Sequence, residues 1–535
     1  MKVSVRPPLK RLPTMLLVVT LAGCQSAAEP GGTLTVAETP TRAITDEGHY
    51  VSWTEHLIDS DELNNNEGIR GGDGLKIADV DRDGWPDVIS VHEDSHYLRI
   101  AFGTASPDEW VNVTIAKGRV VGAIEDVAVG DVNGDGWPDL VVACEEAHLA
   151  YFQNPAQKVR EAEWASLVPS VTTGRGSWLQ VTIEDLNGDG RNEVVAANKG
   201  FADVVRLKPG EVVQKTTSMF TLTGDPLTDD SWQEQPLHTD GIPNQALAVD
   251  IDQDGDTDIL AASRLKRQVH WLLNDGVDEA GQVRVTAVEV QIAPAFDTED
   301  GWRAVSNAFN ADFADMNGDG RTDLILAVAE FYRADSKRWD DQPLVWLEQP
   351  ADLRSEPWRM HRIGSLVPDW VTGFTVADID GDGDLDAIAG GYSGLNLLRG
   401  GYSGASRDED DPDVTAADTL GRMAWFENRE KAEGQWIRHD ISRRVRGMYD
   451  EFIARDMDGD GDTDFVATRG NSGIYDGVFW LEQVRTLSPQ PAFRAARSSD
   501  SRQMPLAPED WQDQYGKGAS DIAPNKAAQQ EALKH

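Results

Sequence analysis

Asp131, Asn133, Asp135 and Asp139 fall within one nine-residue stretch, DVNGDGWPD, with Gly134 and Gly136 between them and the apolar run LVVA (140–143) directly after. Side chains at the first, third and fifth positions of a tight turn converge. Glycine at the sixth allows the positive φ such a turn needs, the seventh residue can offer its carbonyl, and a carboxylate at the ninth closes the shell. An all-oxygen shell suits a hard divalent cation, calcium before zinc or copper. The stretch recurs. The same four positions are held by Asp79, Asp81, Asp83 and Asp87; by Asp185, Asn187, Asp189 and Glu193; by Asp250, Asp252, Asp254 and Asp258; by Asp315, Asn317, Asp319 and Asp323; by Asp378, Asp380, Asp382 and Asp386; and by Asp456, Asp458, Asp460 and Asp464. Solvated acidic turns, in which Asp and Asn serve only their own backbone, need no metal. Seven copies in one register favour the ion, giving up to seven Ca2+ sites.

These loops must be held by something short and apolar. Each runs into such a segment: VISV (88–91), LVVA (140–143), VVAA (194–197), ILAA (259–262), LILA (324–327), AIAG (387–390) and FVAT (465–468). Runs of this length, apolar at successive positions, read as strands buried on both faces. A second strand class follows in AYFQNP (150–155), HWLLNDG (270–276), VWLEQP (345–350), AWFENRE (424–430) and FWLEQV (479–484), and a third in WTEHLI (53–58), WVNVTI (110–115), WRMHRI (358–363) and WIRHDI (436–441). With the strand leading into each loop, such as LKIA (75–78), a unit holds four strands, and four-stranded units repeated radially make a propeller. One strand of the third class, 53–58, stands before the first loop and none follows the last. It is therefore predicted to complete the last blade near 478–484, which removes a free sheet edge. His56, His361 and His439 recur at one position of this class beside aromatic partners and read as packing residues.

The loop resembles the first half of an EF-hand loop without its position-12 glutamate or flanking helices. As a set, the seven Asp-x-Asp/Asn-x-Asp-Gly-x-x-Asp/Glu loops followed by apolar strands resemble the VCBS/FG-GAP repeat family, the calcium-loop propellers also seen in integrin head domains. The resemblance covers about residues 51–485 and implies an all-β, seven-bladed β-propeller with calcium in the hairpin joining the first two strands of each blade. Glu193, in place of Asp, is a small departure.

The net charge of −43 argues against nucleic-acid binding and against adhesion to anionic lipid by charge alone. Two cysteines, Cys24 and Cys144, exclude a disulfide framework. Lys2, Arg6, Lys10 and Arg11 precede the apolar run MLLVVTLAGC (15–24), the layout of an export signal. Its end, Leu21-Ala22-Gly23-Cys24, resembles the lipobox of bacterial lipoproteins, which implies a signal peptide over 1–23 and lipidation at Cys24. Gln25 at the next position leans towards the outer membrane. The expected organisation is then a flexible tether over 24–50, the propeller over 51–485, and a mostly disordered tail over 486–535, on a monomer held at the bacterial cell envelope by its lipid anchor only.

If the loops occupy one end of every blade, the remaining connections gather at the opposite face. That face is predicted to carry Arg70, Arg175, Lys199, Arg264, Arg333 and Arg469, a basic set on an acidic molecule, together with aromatic residues such as Trp370 and Tyr392. Arginine forks suit carboxylate and sulfate groups and aromatic rings suit sugars, so the leading expectation is a binding propeller for a glycan, an anionic polysaccharide first, or for an extracellular protein. Local pairing of these charges is the plainer alternative. The competing enzymatic reading is a polysaccharide lyase, which some calcium-using propellers resemble in fold. β-Elimination on a uronate polymer needs a base, an acid and a cation at the enolate, and His92, His148, Tyr332, Arg333 and Tyr392 could supply them by chemical type.

Overall fold

A computed structural model describes residues 34–505 apart from 147, 162, 202–213, 267, 294–308, 329–330, 334–337, 341–342, 368, 394–413, 415–418 and 430–435, and apart from the side chains of 331–333 and 338–340. Among the described residues seven sheets of four or five strands run in chain order, the first six antiparallel with their strands ordered from first to last. The first comprises Gly72–Ala78, Asp87–His92, Tyr97–Phe102 and Val111–Lys117. The seventh comprises Phe452–Arg455, Asp464–Arg469 and Gly477–Thr486, with the N-terminal strand Tyr50–Ser60 added outside them. His56 faces Trp480 and Leu57 faces Phe479 in that pairing, so the first strand closes the last blade as the repeat phase predicts. The fold is an all-β, seven-bladed propeller. Among the described residues no helix is long and apolar enough to cross a membrane.

The short apolar strands explain how the blades hold together. Successive side chains of a strand point to opposite faces, so alternate residues serve different neighbours. Val194 and Ala196 pack with Val141 and Tyr151 of the second blade, while Val195 and Ala197 pack with Ala246 and Ile259 of the fourth. Such a cluster fills every interface round the ring, and the last joins Val466, Val478, Trp480 and Ile58 to Leu75, Val88 and Ala101 of the first blade. Buried charge reinforces this seam. Arg99 of the first blade donates to Asp59 of the N-terminal strand (Nη2 to Oδ1, 3.2 Å) and to Asn64 (2.8 Å).

Three histidines lock third strand to fourth. His56, His361 and His439 stack on Trp480, Trp346 and Trp425 with ring centroids 4.3, 3.9 and 4.6 Å apart. Their Nε2 atoms lie 2.8, 2.8 and 2.6 Å from Glu482, Glu348 and Glu427, two residues along from each tryptophan. The Trp-x-Glu and Trp-x-x-His patterns are thus the two halves of one cross-strand device.

The packed body extends beyond 51–485. Residues 34–50, expected to be a flexible tether, and residues 486–505, expected to be part of a disordered tail, run against each other: Val36 N donates to Met504 O at 3.0 Å, and Thr41 N to Gln490 O at 2.8 Å. Phe493–Arg494 adds alongside Tyr50–Ser60, and Phe493 and Met504 are buried. Asp500 ties this segment down, accepting from Arg469 Nη1 at 2.8 Å and lying 3.1 Å from Arg444 Nη2. The expected signal peptide with Cys24, and the chain after 505, lie outside the described residues.

Candidate metal centres and the opposite face

All seven loops are built the same way. The position-1 aspartate accepts the backbone N–H of the position-6 glycine at 2.8–3.2 Å in every copy. The position-5 aspartate accepts the N–H of position 7 at 2.8–3.1 Å in every copy. Each position-6 glycine takes φ between 85° and 97°, which only glycine adopts without strain. Position 4 is also left-handed, including its two non-glycine occupants, Arg82 and Gln253. Both reach the next loop in space: Arg82 lies 5.3 Å over the ring of Trp137, and Gln253 Nε2 donates to Gly320 O at 2.8 Å.

Position 9 is the anchor. Asp87, Asp139, Glu193, Asp258, Asp323, Asp386 and Asp464 are all buried, and each accepts the N–H of its loop's position 2 at 2.7–3.2 Å. In six blades the other oxygen accepts an N–H from the end of the third strand at 2.7–2.9 Å. Burial pushes these carboxyls up, to about 6 in Asp139 and Asp258, about 7 in Asp87, Glu193, Asp323 and Asp464, and about 8 in Asp386. A carboxylate taken out of water beside other carboxylates is relieved by a proton or by a cation. In at least three loops the oxygens already gather: Asp79 with Asp81 and Asp87, Asp250 with Asp252 and Asp254, and Asp378 with Asp380 and Asp386 each place one ligand atom apiece within 4.8 Å of the others. The donor set fits a hard divalent ion, which the side chains of positions 1, 3, 5 and 9 would hold. In the first loop Arg160 lies 2.6 Å from Asp81 and 2.9 Å from Asp83 and competes for their charge, and in the fifth Arg321 contacts Asp319.

One set of residues at this end is absent from the sequence-derived candidates. The amide that ends the third strand reaches the position-2 carbonyl of another loop: Asn154 to Val80 (3.1 Å), Asn274 to Leu186 (2.8 Å), Gln349 to Ile251 (2.6 Å) and Gln483 to Ile379 (2.9 Å). The signal was present in the recurring Asn or Gln of AYFQN, HWLLN, VWLEQ and FWLEQ.

At the opposite face most of the predicted basic residues meet acids of the fold. Arg70 forks onto Asp61, Arg175 donates to Glu234 at 2.8 Å, Lys199 contacts Glu145, and Arg469 is buried against Asp500. Arg264 stands 5.1 Å over the ring of Phe309. His92, a candidate base, is fully buried at the end of its strand, where it contacts Ser90 Oγ at 3.2 Å, and burial pushes its imidazole down to about 3. His148 Nε2 meets Val120 O at 2.9 Å. The side chains of Tyr332 and Arg333 lie outside the described residues. Tyr392 sits with Trp370, which is 43% exposed, at a ring separation of 6.4 Å. The channel mouth is acidic: Glu93, Glu125 and Glu145 place one oxygen each within 4.8 Å of the others. Burial and the Glu145 charge push Glu93 up to about 7. Below it, inner strands from every blade line a cavity of about 450 Å3.

Residues 79–142, 250–326 and 315–389 match the model of the FG-GAP-like repeat. The chain thus carries FG-GAP-like repeats over these residues. The chain is similar to BBS1N in complex with ARL6DN, at 10% identity over 81% of this chain and 96% of that one, with a TM-score of 0.36 in a mercury-soaked crystal. A lead-soaked crystal of the same complex gives 11% identity, 84% and 99% coverage, and a TM-score of 0.37. YCF48 from Cyanidioschyzon merolae is 9% identical over 80% of this chain and 98% of its own, with a TM-score of 0.42. No curated protein matches the sequence.

Proposed function

We propose that the protein is a calcium-stiffened binding propeller, lipid-anchored through Cys24 at the bacterial cell envelope, that takes a glycan or protein partner on the face opposite the loops. The observation that carries the binding reading is the exposed Trp370 beside Tyr392 on that face. A flat ring open to solvent next to a second ring is a stacking platform for a sugar or an aromatic side chain. The acidic loops support the calcium part, since every copy brings the same oxygen donors to a turn whose ninth residue is buried.

The ligand preference shifts from the sequence-derived expectation. Arg70, Arg175, Lys199 and Arg469 are engaged by acids of the fold, so recognition rests on ring stacking and hydrogen bonding rather than on arginine forks around carboxylate or sulfate. Binding is favoured over elimination chemistry because His92 is fully buried, which removes it as a base beside a substrate. The test is a panel of neutral and uronate glycans followed by tryptophan fluorescence. Wild-type protein should respond to at least one polymer, and Trp370→Ala should abolish the response without lowering the melting temperature. A rise in ultraviolet absorbance from unsaturated product would contradict the binding reading in favour of a lyase.

A further inference from the structure

Between the third and fourth blades, away from the acidic loops, two imidazoles and a carboxylate face one another. His238 and Asp240 lie on the outer strand Trp232–Asp240 of blade three, and His270 near the start of the third strand, Gln268–Val277, of blade four. His238 Nε2 and His270 Nδ1 are buried atoms with no hydrogen-bond partner. Each stands 3.8 Å from the same oxygen, Asp240 Oδ2, too far for a hydrogen bond. The rings are 5.0 Å apart. Asp240 is 3% exposed, and its other oxygen is already served, accepting Gly241 N–H at 2.6 Å and meeting Lys266 Nζ at 2.5 Å. One oxygen and two nitrogens are left within 4.8 Å of one another.

Sequence position sharpens the anomaly. His270 precedes Trp271 as Val345, Ala424 and Phe479 precede Trp346, Trp425 and Trp480, and those three residues are buried and apolar. A polar ring at this position, with a buried unpartnered nitrogen, is unfavourable unless something binds it.

We propose that His238, Asp240 and His270 form a site for a borderline-soft divalent transition metal of the zinc class, separate in place and donor type from the oxygen loops. Imidazole nitrogen selects zinc, cobalt or nickel over calcium. Tetrahedral zinc with ligands at about 2.0–2.1 Å brings donor atoms to about 3.3 Å from one another. Each histidine-to-Asp240 distance therefore needs to close by roughly half an ångström, within side-chain rotation. The Gly241 contact to the second carboxylate oxygen supplies the outer support that metal-bound carboxylates receive, while the Lys266 charge competes with the ion for Asp240. Three protein ligands leave a fourth position for water or a donor from a partner.

The test uses the full chain saturated with calcium and stripped of transition metals, titrated with Co2+ and read by its visible d–d absorption. One equivalent should give the strong band of a tetrahedral ion, and one equivalent of Zn2+ should displace it. His270→Val, which installs the residue blade five carries there, and Asp240→Asn should each weaken Co2+ binding by at least about 100-fold while calcium-dependent melting is unchanged. Lys266→Met should preserve or tighten binding. No band in the wild type, or an equal band in a folded His270→Val protein, would overturn the assignment and leave the trio as an ion-pair cluster.

Discussion

Removing the Asp500 carboxylate should unlock the C-terminal segment from the propeller. Arg469 is 2% exposed, Arg444 0%, and Asp500 6%, so water does not take over when the acid is lost. Arg444 keeps Glu55, which accepts from both of its terminal nitrogens at 2.8 and 2.7 Å. Arg469 keeps only the neutral acceptors Arg446 O (3.2 Å) and Ser472 Oγ (3.0 Å) among its described hydrogen bonds. Breaking a buried pair by deleting one partner costs about 3–5 kcal/mol. With an unfolding entropy of about 2.1 cal/mol/K per residue, a two-state body of roughly 470 residues loses about 1 °C per kcal/mol. Asp500→Ala should therefore lower the melting temperature by about 3–5 °C by calorimetry. The gap should survive molar salt, because a buried pair is little screened. Burial alone would raise the Asp500 carboxyl, but the Arg469 and Arg444 charges outweigh it and hold the group below the usual carboxylate range. A depressed folded pKa means the contribution is fully present above the unfolded value near 3.9 and is lost as pH falls through the folded one. The wild-type advantage in urea should thus shrink only below about pH 4. In the double variant Asp500→Ala/Arg469→Met, no charge is stranded at Arg469, so part of the loss should return. A single variant that melts with the wild type, or a double variant no more stable than it, would refute the reasoning.

Arg160→Ala removes a competing cation from the first loop and should tighten its calcium affinity by about fivefold, the equivalent of an exposed ion pair, in a site-resolved titration. His439→Ala removes both the stack on Trp425 and the hydrogen bond to Glu427, and should cost about 1–2 kcal/mol in urea unfolding with binding of any ligand unchanged. Cys24→Ser should abolish incorporation of a labelled fatty acid and release the protein from the membrane fraction. Retention of both would contradict lipid anchoring.

What could be read from the sequence was whatever is local or strictly periodic. The loops declare themselves because Asp131, Gly136 and Asp139, like their counterparts in every other copy, act within nine residues, and the strand count follows from apolar runs that need partners on both faces. The unmatched 53–58 strand gave the closure, and His361 with Trp346 emerged because both halves of that pair repeat. Charged side chains were another matter. Arg70 looks equally free in sequence whether it faces a ligand or Asp61, and the partner of Arg469 lies in a Ser- and Ala-rich segment whose few anchors, Phe493, Asp500 and Met504, carry no pattern. His92 follows an apolar strand and was expected at its exposed tip, yet it is drawn inside because the strand is buried over its full length, His92 included. The His238–Asp240–His270 trio joins two blades and no spacing rule announces it.

The central claim is that the seven acidic turns are cation cages that stabilise the ring. It is tested most directly by calcium titration of the metal-free protein with parallel thermal melts. Up to seven bound equivalents are expected, with a melting temperature that climbs with free calcium, each filled site adding about 2.7 kcal/mol at a hundredfold excess over its dissociation constant. A protein that takes up no calcium, and that melts at one temperature in calcium and in excess chelator, would contradict it.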